Sequence, residues 1–520
     1  MSRQALVVAR GILDVDSGDA SPRAMLIRGD RIVWVGEAPS QAPGGAGPGA
    51  ETIDLGNAWV TPAFVDAHVH ATATGLAAAG VDLSGCESAA ECLDRLRRHA
   101  EADAQDIVMG RGWDSFGWPE GAPPSAEQIS AAAPGRTVLL VRVDAHSCLV
   151  DAHTLERLAL ERLEGVERDA SGQPTGWLRE QASEAALALI RAALPEDRVA
   201  QARAAACAQA ASLGIGCLHE MGHPGLSGMA DALAWAAGEW PIEILVWWAE
   251  LAPFIADSAA LRAEGLRPGG DLFLDGSIGS RSAAVSAGYR DGAGHGELFY
   301  DDDTVAAFFT ACTDAGRGAG VHAIGDRAIE QALTAMERAA DELGLDAVRS
   351  SRHRIEHVEL PSRDHVRRLA RLGAVASLQP AFDAFWGGDR GLYADQFGRQ
   401  AALESNPLSW FADEGAPLAF GSDSTVTPLD PWGAVVAAEG HLGGLGLDRR
   451  TALRAHTLGG RWAAGQDDVG PLREGMRADF AVWDGNPLAR EDLRRLTCLA
   501  TVVAGATAHG DLALEGTADG

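Results

Sequence analysis

The 520-residue chain contains no lysine, so all 43 of its basic residues are arginine. That absence excludes Schiff-base catalysis on a lysine amine and phosphate capture by a P-loop lysine. Such a bias in an Ala-, Gly- and Arg-rich sequence is a composition effect of the genome or of engineering, not a sign of selection for thermostability. Positive charge is scarce overall, since 73 acidic residues bring the formal net charge to −30. A surface of that sign repels phosphate backbones, which argues against a nucleic-acid partner and against a nuclease. Cysteine is sparse too: the seven (86, 92, 148, 207, 217, 312 and 498) are scattered, odd in number and without a C-x-x-C pair. They read as small buried hydrophobes in a reducing compartment, not as a disulfide frame or zinc knuckle. No apolar run reaches the ~18 residues that would span a membrane. The first ten residues also lack the apolar core of a signal peptide. These absences predict a cytoplasmic protein with no membrane partner.

The most informative stretch is Trp59-Val-Thr-Pro-Ala-Phe-Val-Asp-Ala-His68-Val-His70, an apolar run that ends in two histidines one residue apart. In an extended strand, residues i and i+2 share a face, so both imidazoles emerge side by side at the strand end. That is a metal half-site, although two solvated or capped histidines on a β edge would read the same way. Three further hydrophobic segments end in ligand-type residues: Gly320-Val-His322-Ala-Ile-Gly-Asp326, Arg354-Ile-Glu-His357-Val-Glu359 and Leu418-Ala-Phe-Gly-Ser-Asp423. Each reads as a short buried strand with a polar tip, where a parallel α/β barrel places its chemistry. Four histidines and an aspartate at four strand ends favour the metal site over the bland reading.

This set resembles the amidohydrolase superfamily of metal-dependent hydrolases, whose pattern is His-x-His on strand 1, His on strands 5 and 6, and Asp on strand 8. The matching residues are His68, His70, His322, His357 and Asp423. Gly110-Arg-Gly-Trp113-Asp114, Asp144-Ala-His146-Ser147, Thr175-Gly-Trp-Leu-Arg-Glu180 and Asp275-Gly-Ser-Ile-Gly-Ser280 resemble the amidohydrolase-3 branch that includes N-substituted formamide deformylases. The resemblance implies a (β/α)8 TIM-like barrel over residues 61–469, a β-sandwich domain built from 1–60 and 470–520, and an insertion over 80–205 after barrel strand 1. It also implies one or two divalent metal ions, zinc first among them, a small-molecule substrate, and a homodimer.

Zinc held by histidines and a carboxylate keeps a position open for water, whose pKa falls toward ~7 on the ion. In the implied roles His68, His70 and Asp423 hold the first metal, and Asp423 acts as general base and then acid. His322 and His357 bind a second metal, or help ligate a single one while His357 polarises the scissile carbonyl. Many relatives bridge two metals with a carboxylated lysine on strand 4, a ligand this chain cannot supply. Asp271, which aligns with that position, and Glu180 are the candidate substitutes, with helix capping or arginine pairing as their structural alternative.

Trp113, Asp114, Asp144 and His146 are expected at the substrate wall, with core packing the alternative for Trp113. His219, from the segment that runs on to His223, is expected to line the pocket, with an added metal ligand as the alternative. Arg281 is a candidate for an anionic substrate group or for a loop ion pair. Asp66 shares the strand face of both metal histidines, which suggests a hydrogen bond that supports them. The predicted activity is hydrolysis of a non-peptide C–N bond, of amide or N-formyl type. The alternatives are a deaminase, in which Asp326 would replace the usual glutamate, and a catalytically idle ligand-binding barrel.

Overall fold

The computed structural model describes residues 4–43, 50–102, 105–115, 118–143, 147–257, 264–292, 294–512 and 514. The chain divides into two compact units, one of Met1–His70, Cys207–Pro224 and Met229–Gly520, the other of Ala71–Ala206 and Gly225–Gly228.

The first unit is α/β. Its central strands are β1 (Phe64–Val69), β2 (Ile215–Gly222), β3 (Glu243–Trp248), β4 (Leu266–Pro268), β5 (Gly320–Ala323), β6 (Arg354–His357), β7 (Val375–Leu378) and β8 (Leu418–Phe420). All pairings among them are parallel, in the orders β4-β3-β2-β1 and β5-β6-β7-β8. Every residue of β1, β2, β5, β6 and β7 is buried, as parallel strands covered on both faces require.

Backbone hydrogen bonds also join the two groups of strands. Asp423 N donates to His68 O (2.7 Å), and His70 N donates to Ser424 O (3.0 Å). At the other junction the chain beyond β4 runs beside β5, with His322 N on Leu272 O (2.9 Å) and Leu274 N on His322 O (3.0 Å). Gly269 and Gly270 make that turn, with φ of +72° and +86°. A Cβ on Gly269 would lie 1.9 Å from Gly320 O, so only glycine fits.

The connecting helices follow amphipathic rules. Asp326–Leu343 buries Ala328, Ile329, Ala332, Leu333, Ala335, Met336 and Ala339, an i, i+3, i+4 stripe. Arg363–Leu372 starts in a Ser362–His365 capping box and stops at Gly373, whose left-handed conformation closes the last turn.

The two ends of the chain share a sheet. Strand Phe480–Trp483 pairs antiparallel with Trp59–Pro62, placing Phe480 opposite Pro62, and also pairs with Cys498–Val503. A second sheet contains Gln4–Val8, Ala24–Arg28, Arg31–Gly36 and Ala50–Asp54. Val7, Met25, Ile27, Val60, Phe480, Val482 and Val502 belong to one buried cluster formed from these strands.

The second unit has a six-stranded sheet built around Ile107–Trp113, Thr137–Arg142, Ser147–Val150 and Pro174–Arg179, with helices Ala89–Ala102 and Glu180–Ala193. All seven cysteines are unpaired and six are buried. No helix among the described residues is long and apolar enough to cross a membrane.

Candidate metal centre

His68, His70, His322, His357 and Asp423, placed on four strand ends, come together in the first unit. Two of these ends require unusual backbone. In a regular strand Glu356 and His357 would face opposite sides. A φ of +70° at His357 ends the extended run, and both side chains reach His68. The His357 ring lies 4.8 Å from the His68 ring, and Glu356 Oε2 lies 2.8 Å from His68 Nδ1. Asp423 has φ of +51°. Left-handed backbone on bulky residues costs on the order of 1–3 kcal/mol and collects at functional sites.

Asp271 stands among the four histidines. Its Oδ1 lies 3.1 Å from His322 Nδ1, 3.4 Å from His357 Nε2 and 3.9 Å from His68 Nε2. Its Oδ2 lies 3.4 Å from His70 Nε2. Asp423 Oδ1 faces His70 Nε2 at 3.3 Å and His68 Nε2 at 3.5 Å. The groups His68/His70/Asp423 and His68/Asp271/His357 are each compact enough to hold an ion. His70 is the most open of the five, with 17% of its side chain exposed, and marks the way in.

The electrostatics match a cation site. Burial alone would drive His357 toward neutrality, but Asp271 and Asp423 outweigh it and raise its pKa to about 9. The same carboxylates overcome burial at His70 and raise it well above the ordinary imidazole range. Asp271, which burial would push up, is held well below the usual carboxylate range by His322, His357 and His70. Protons on His70 and His357 balance the acids, and a divalent cation would displace them. His68 Nε2 and Asp423 Oδ1 are buried and, among the described residues, have no hydrogen-bond partner. Polar atoms are rarely left so without purpose. Four imidazoles and two carboxylates fit zinc in donor type.

A ring of supporting contacts surrounds the ligands. His357 Nδ1 lies 2.8 Å from Gln379 Oε1, and Phe382 lies nearly parallel to the His357 ring at 5.9 Å. Asp66 accepts from Ser422 N (2.9 Å) and His68 N (3.2 Å), so it ties β1 to the turn after β8; burial raises its pKa to about 7. Asp275 accepts from the backbone of Ala284, Ile324 and Gly325 and lies 3.7 Å from His322 Nε2. Beneath the histidines, Glu356 is paired with fully buried Arg354. Burial alone would raise Glu356, but Arg354 and His68 hold it down at about 2. Glu356, Arg354 and Gln379 are not among the sequence candidates. The signal for two of them was present, because Arg354 and Glu356 sit at i and i+2 on a buried strand.

Several expected site residues lie elsewhere. His219 is fully buried on β2, where its Nδ1 accepts from Arg354 Nη1 at 3.0 Å and its ring packs 4.6 Å from the Trp247 ring. Burial and then Arg354 hold its pKa well below the ordinary value. Trp113 is fully buried in the second unit, with Nε1 donating to Leu140 O at 2.8 Å, so core packing accounts for it. Asp114 pairs with Arg142 at 2.6 Å. Arg281 is an exposed loop residue paired with Asp291 at 2.6 Å. Asp326 accepts from Ser286 N at 2.8 Å. Asp144 and His146 lie outside the described residues, as does the side chain of Glu180, which opens a helix.

Comparison with known proteins agrees with this geometry. The profile of the amidohydrolase family matches residues 51–509. N-substituted formamide deformylase of Arthrobacter pascens is 26% identical, over 97% of this chain and 98% of that protein. Protein LONG AFTER FAR-RED 3 of Arabidopsis thaliana is 28% identical, over 92% and 87%. The crystal structure of an uncharacterized metal-dependent hydrolase from Pyrococcus furiosus superposes with a TM-score of 0.76 at 25% identity, covering 93% of this chain and all of that one. With a match over most of its length, the chain belongs to the amidohydrolase family, in its amidohydrolase-3 branch.

Proposed function

We propose that the protein is a cytoplasmic metal-dependent hydrolase that cleaves the C–N bond of a small amide or N-formyl compound. The observation that carries this reading is the placing of Asp271 within 3.9 Å of all four histidines, opposite Asp423. The eight parallel strands would close as a barrel, with the backbone bonds at the β1/β8 and β4/β5 junctions as its seams. The polar strand tips would then share one end of it.

His68, His70 and Asp423 would hold one divalent ion, most simply zinc, His322 and His357 a second, and Asp271 would stand between them. When bound, such ions supply an acidified water and an electrophile for the scissile carbonyl. Asp423 takes the water's proton at its carboxylate and delivers it to the departing amine, so both transfers pass through one side chain. Its left-handed backbone and the bond from its N–H to His68 O fix where that carboxylate points. Asp271, the central anion, takes the place of the carboxylated lysine that a lysine-free chain cannot form. His357 is aimed by Gln379 and lies where it can steer the carbonyl. His70, the most open ligand, leaves the approach for substrate.

The test combines metal analysis with turnover. Protein expressed with zinc and purified without chelators should carry about two ions per chain, and His68→Ala should lose at least one. Amine release from a panel of N-formyl and N-acyl amines should then fall by roughly 10²–10⁴-fold in Asp423→Asn, which keeps the shape but removes the base. A folded parent without metal would instead support the idle ligand-binding barrel, and near-parental turnover in Asp423→Asn would refute the role of Asp423.

A further inference from the structure

The layer beneath the histidines supports one more step, which rests on the metal-binding reading above. Glu356 Oε2 lies 2.8 Å from His68 Nδ1, and the carboxylate accepts, so the imidazole donates from Nδ1. The lone pair is thereby left on Nε2, the buried atom without a hydrogen bond that faces Asp423 at 3.5 Å and Asp271 at 3.9 Å. Glu356 is fixed in turn. Arg354 donates Nε to Oε1 (2.5 Å) and Nη2 to Oε2 (3.0 Å). The same guanidinium donates to Ala67 O on β1 (2.5 Å), Ser377 Oγ on β7 (2.7 Å) and His219 Nδ1 on β2 (3.0 Å), and it lies over the Trp247 ring of β3. One arginine therefore braces five strands at the level of His68's partner. A carboxylate buried alone there would be very costly, and the guanidinium makes its charge tolerable.

We propose that Glu356, locked by Arg354, is the positioning residue that sets the tautomer and aim of His68 as a metal ligand. Gln379 has the matching place at His357, but as a neutral amide. Loss of the carboxylate should weaken the ion held by His68, His70 and Asp423, and leave the ion held by His322 and His357.

Zinc titrated into metal-free, full-length protein against a chromophoric chelator reads this directly. The parent should show two sites, and Glu356→Gln should lose about 10–100-fold in affinity at one of them. Because that change leaves Arg354 uncompensated, a second variant, Arg354→Met with Glu356→Gln, removes both charges. It should stay folded, at a thermal midpoint lowered by the lost Arg354 bonds to Ala67, Ser377 and His219 but without an unpaired buried charge, and still bind one ion weakly. Parental zinc affinity in this folded double variant would show the pair to be a structural brace and overturn the proposal. Nitrogen-15 histidine spectra of the metal-free proteins supply a second readout: His68 should be protonated at Nδ1 in the parent and mixed in Glu356→Gln. An unchanged tautomer would likewise overturn it. A parent that takes up no zinc at all would sink the metal reading itself, and this inference with it.

Discussion

Two buried polar clusters in the first unit meet their charges in different ways. Glu243 on β3, Arg461, Arg477 and Asp479 form a balanced set of two acids and two arginines. Arg461 Nη2 lies 2.7 Å and Arg477 Nη2 2.6 Å from Asp479 Oδ2, and both arginines also bond Glu243. None of these side chains has a buried polar atom without a partner. The cluster pins β3, the turn of helix at 460–463 and the segment entering strand Phe480–Trp483 to one another. The candidate metal centre is the reverse, with carboxylates offset only by titratable rings, two orphaned atoms, and left-handed backbone at His357 and Asp423. A cluster complete in itself holds the fold together, whereas one that is incomplete is shaped for something that arrives later.

Substitutions should separate the two cleanly. The largest effect is expected at Asp271→Asn: bound zinc should drop from about two ions per chain to one or fewer, and turnover should fall on the order of 10³-fold. The thermal midpoint of the metal-free protein should hardly move. Metal analysis beside calorimetry checks both, and full zinc retention would remove Asp271 from the centre.

Glu243→Gln should do the opposite, with zinc content intact and stability reduced. Burial would raise the pKa of Glu243, but Arg461 and then Arg477 outweigh it and hold it at about 2 against an ordinary value of 4.5. Because the folded value is the lower, the stabilisation is complete above about pH 4.5 and is lost as pH falls toward 2. A shift of that size corresponds to about 3 kcal/mol. The unfolding free energy of the parent, read from denaturant titrations at successive pH values, should therefore fall more steeply over that acid range than that of the variant; equal pH dependence would refute the ion pairing. The smallest change is expected at Arg281→Ala. Its ion pair is exposed, so stability should move by less than about 0.5 kcal/mol, and a large rise in KM would restore a substrate role.

The candidate ligand set could be proposed because His68, His70, His322 and Asp423 end or follow apolar runs, and an apolar run with a polar tip is a local pattern; His357 follows Arg-Ile-Glu instead. Asp271 was harder to place. The strand before it, Leu266–Pro268, is short, and two glycines in left-handed conformation intervene, so no continuous run announces it. Its reach to all four rings is a product of tertiary closure, which a short side chain does not advertise. Glu356 was hidden differently. Strict alternation assigns Glu356 and His357 to opposite faces, and only the φ of +70° at the strand end brings both to His68. His219 shows a similar limit: a polar residue near a strand tip reads as pocket lining, and the partner that Arg354 gives its Nδ1 inside the core is invisible in the sequence. The pairing of the two chain ends was expected only from the family resemblance, and the structure alone fixes the register of Phe480 against Pro62.

The aspartate at position 271 also bears on how such a centre would be assembled. A carboxylated lysine has to be built after synthesis, from dissolved carbon dioxide, and it reverts when that gas is scarce. Here the central anion is encoded in the gene. Assembly of the centre would depend on metal supply alone and would be indifferent to bicarbonate, so the protein would be ready for work wherever carbon dioxide runs low.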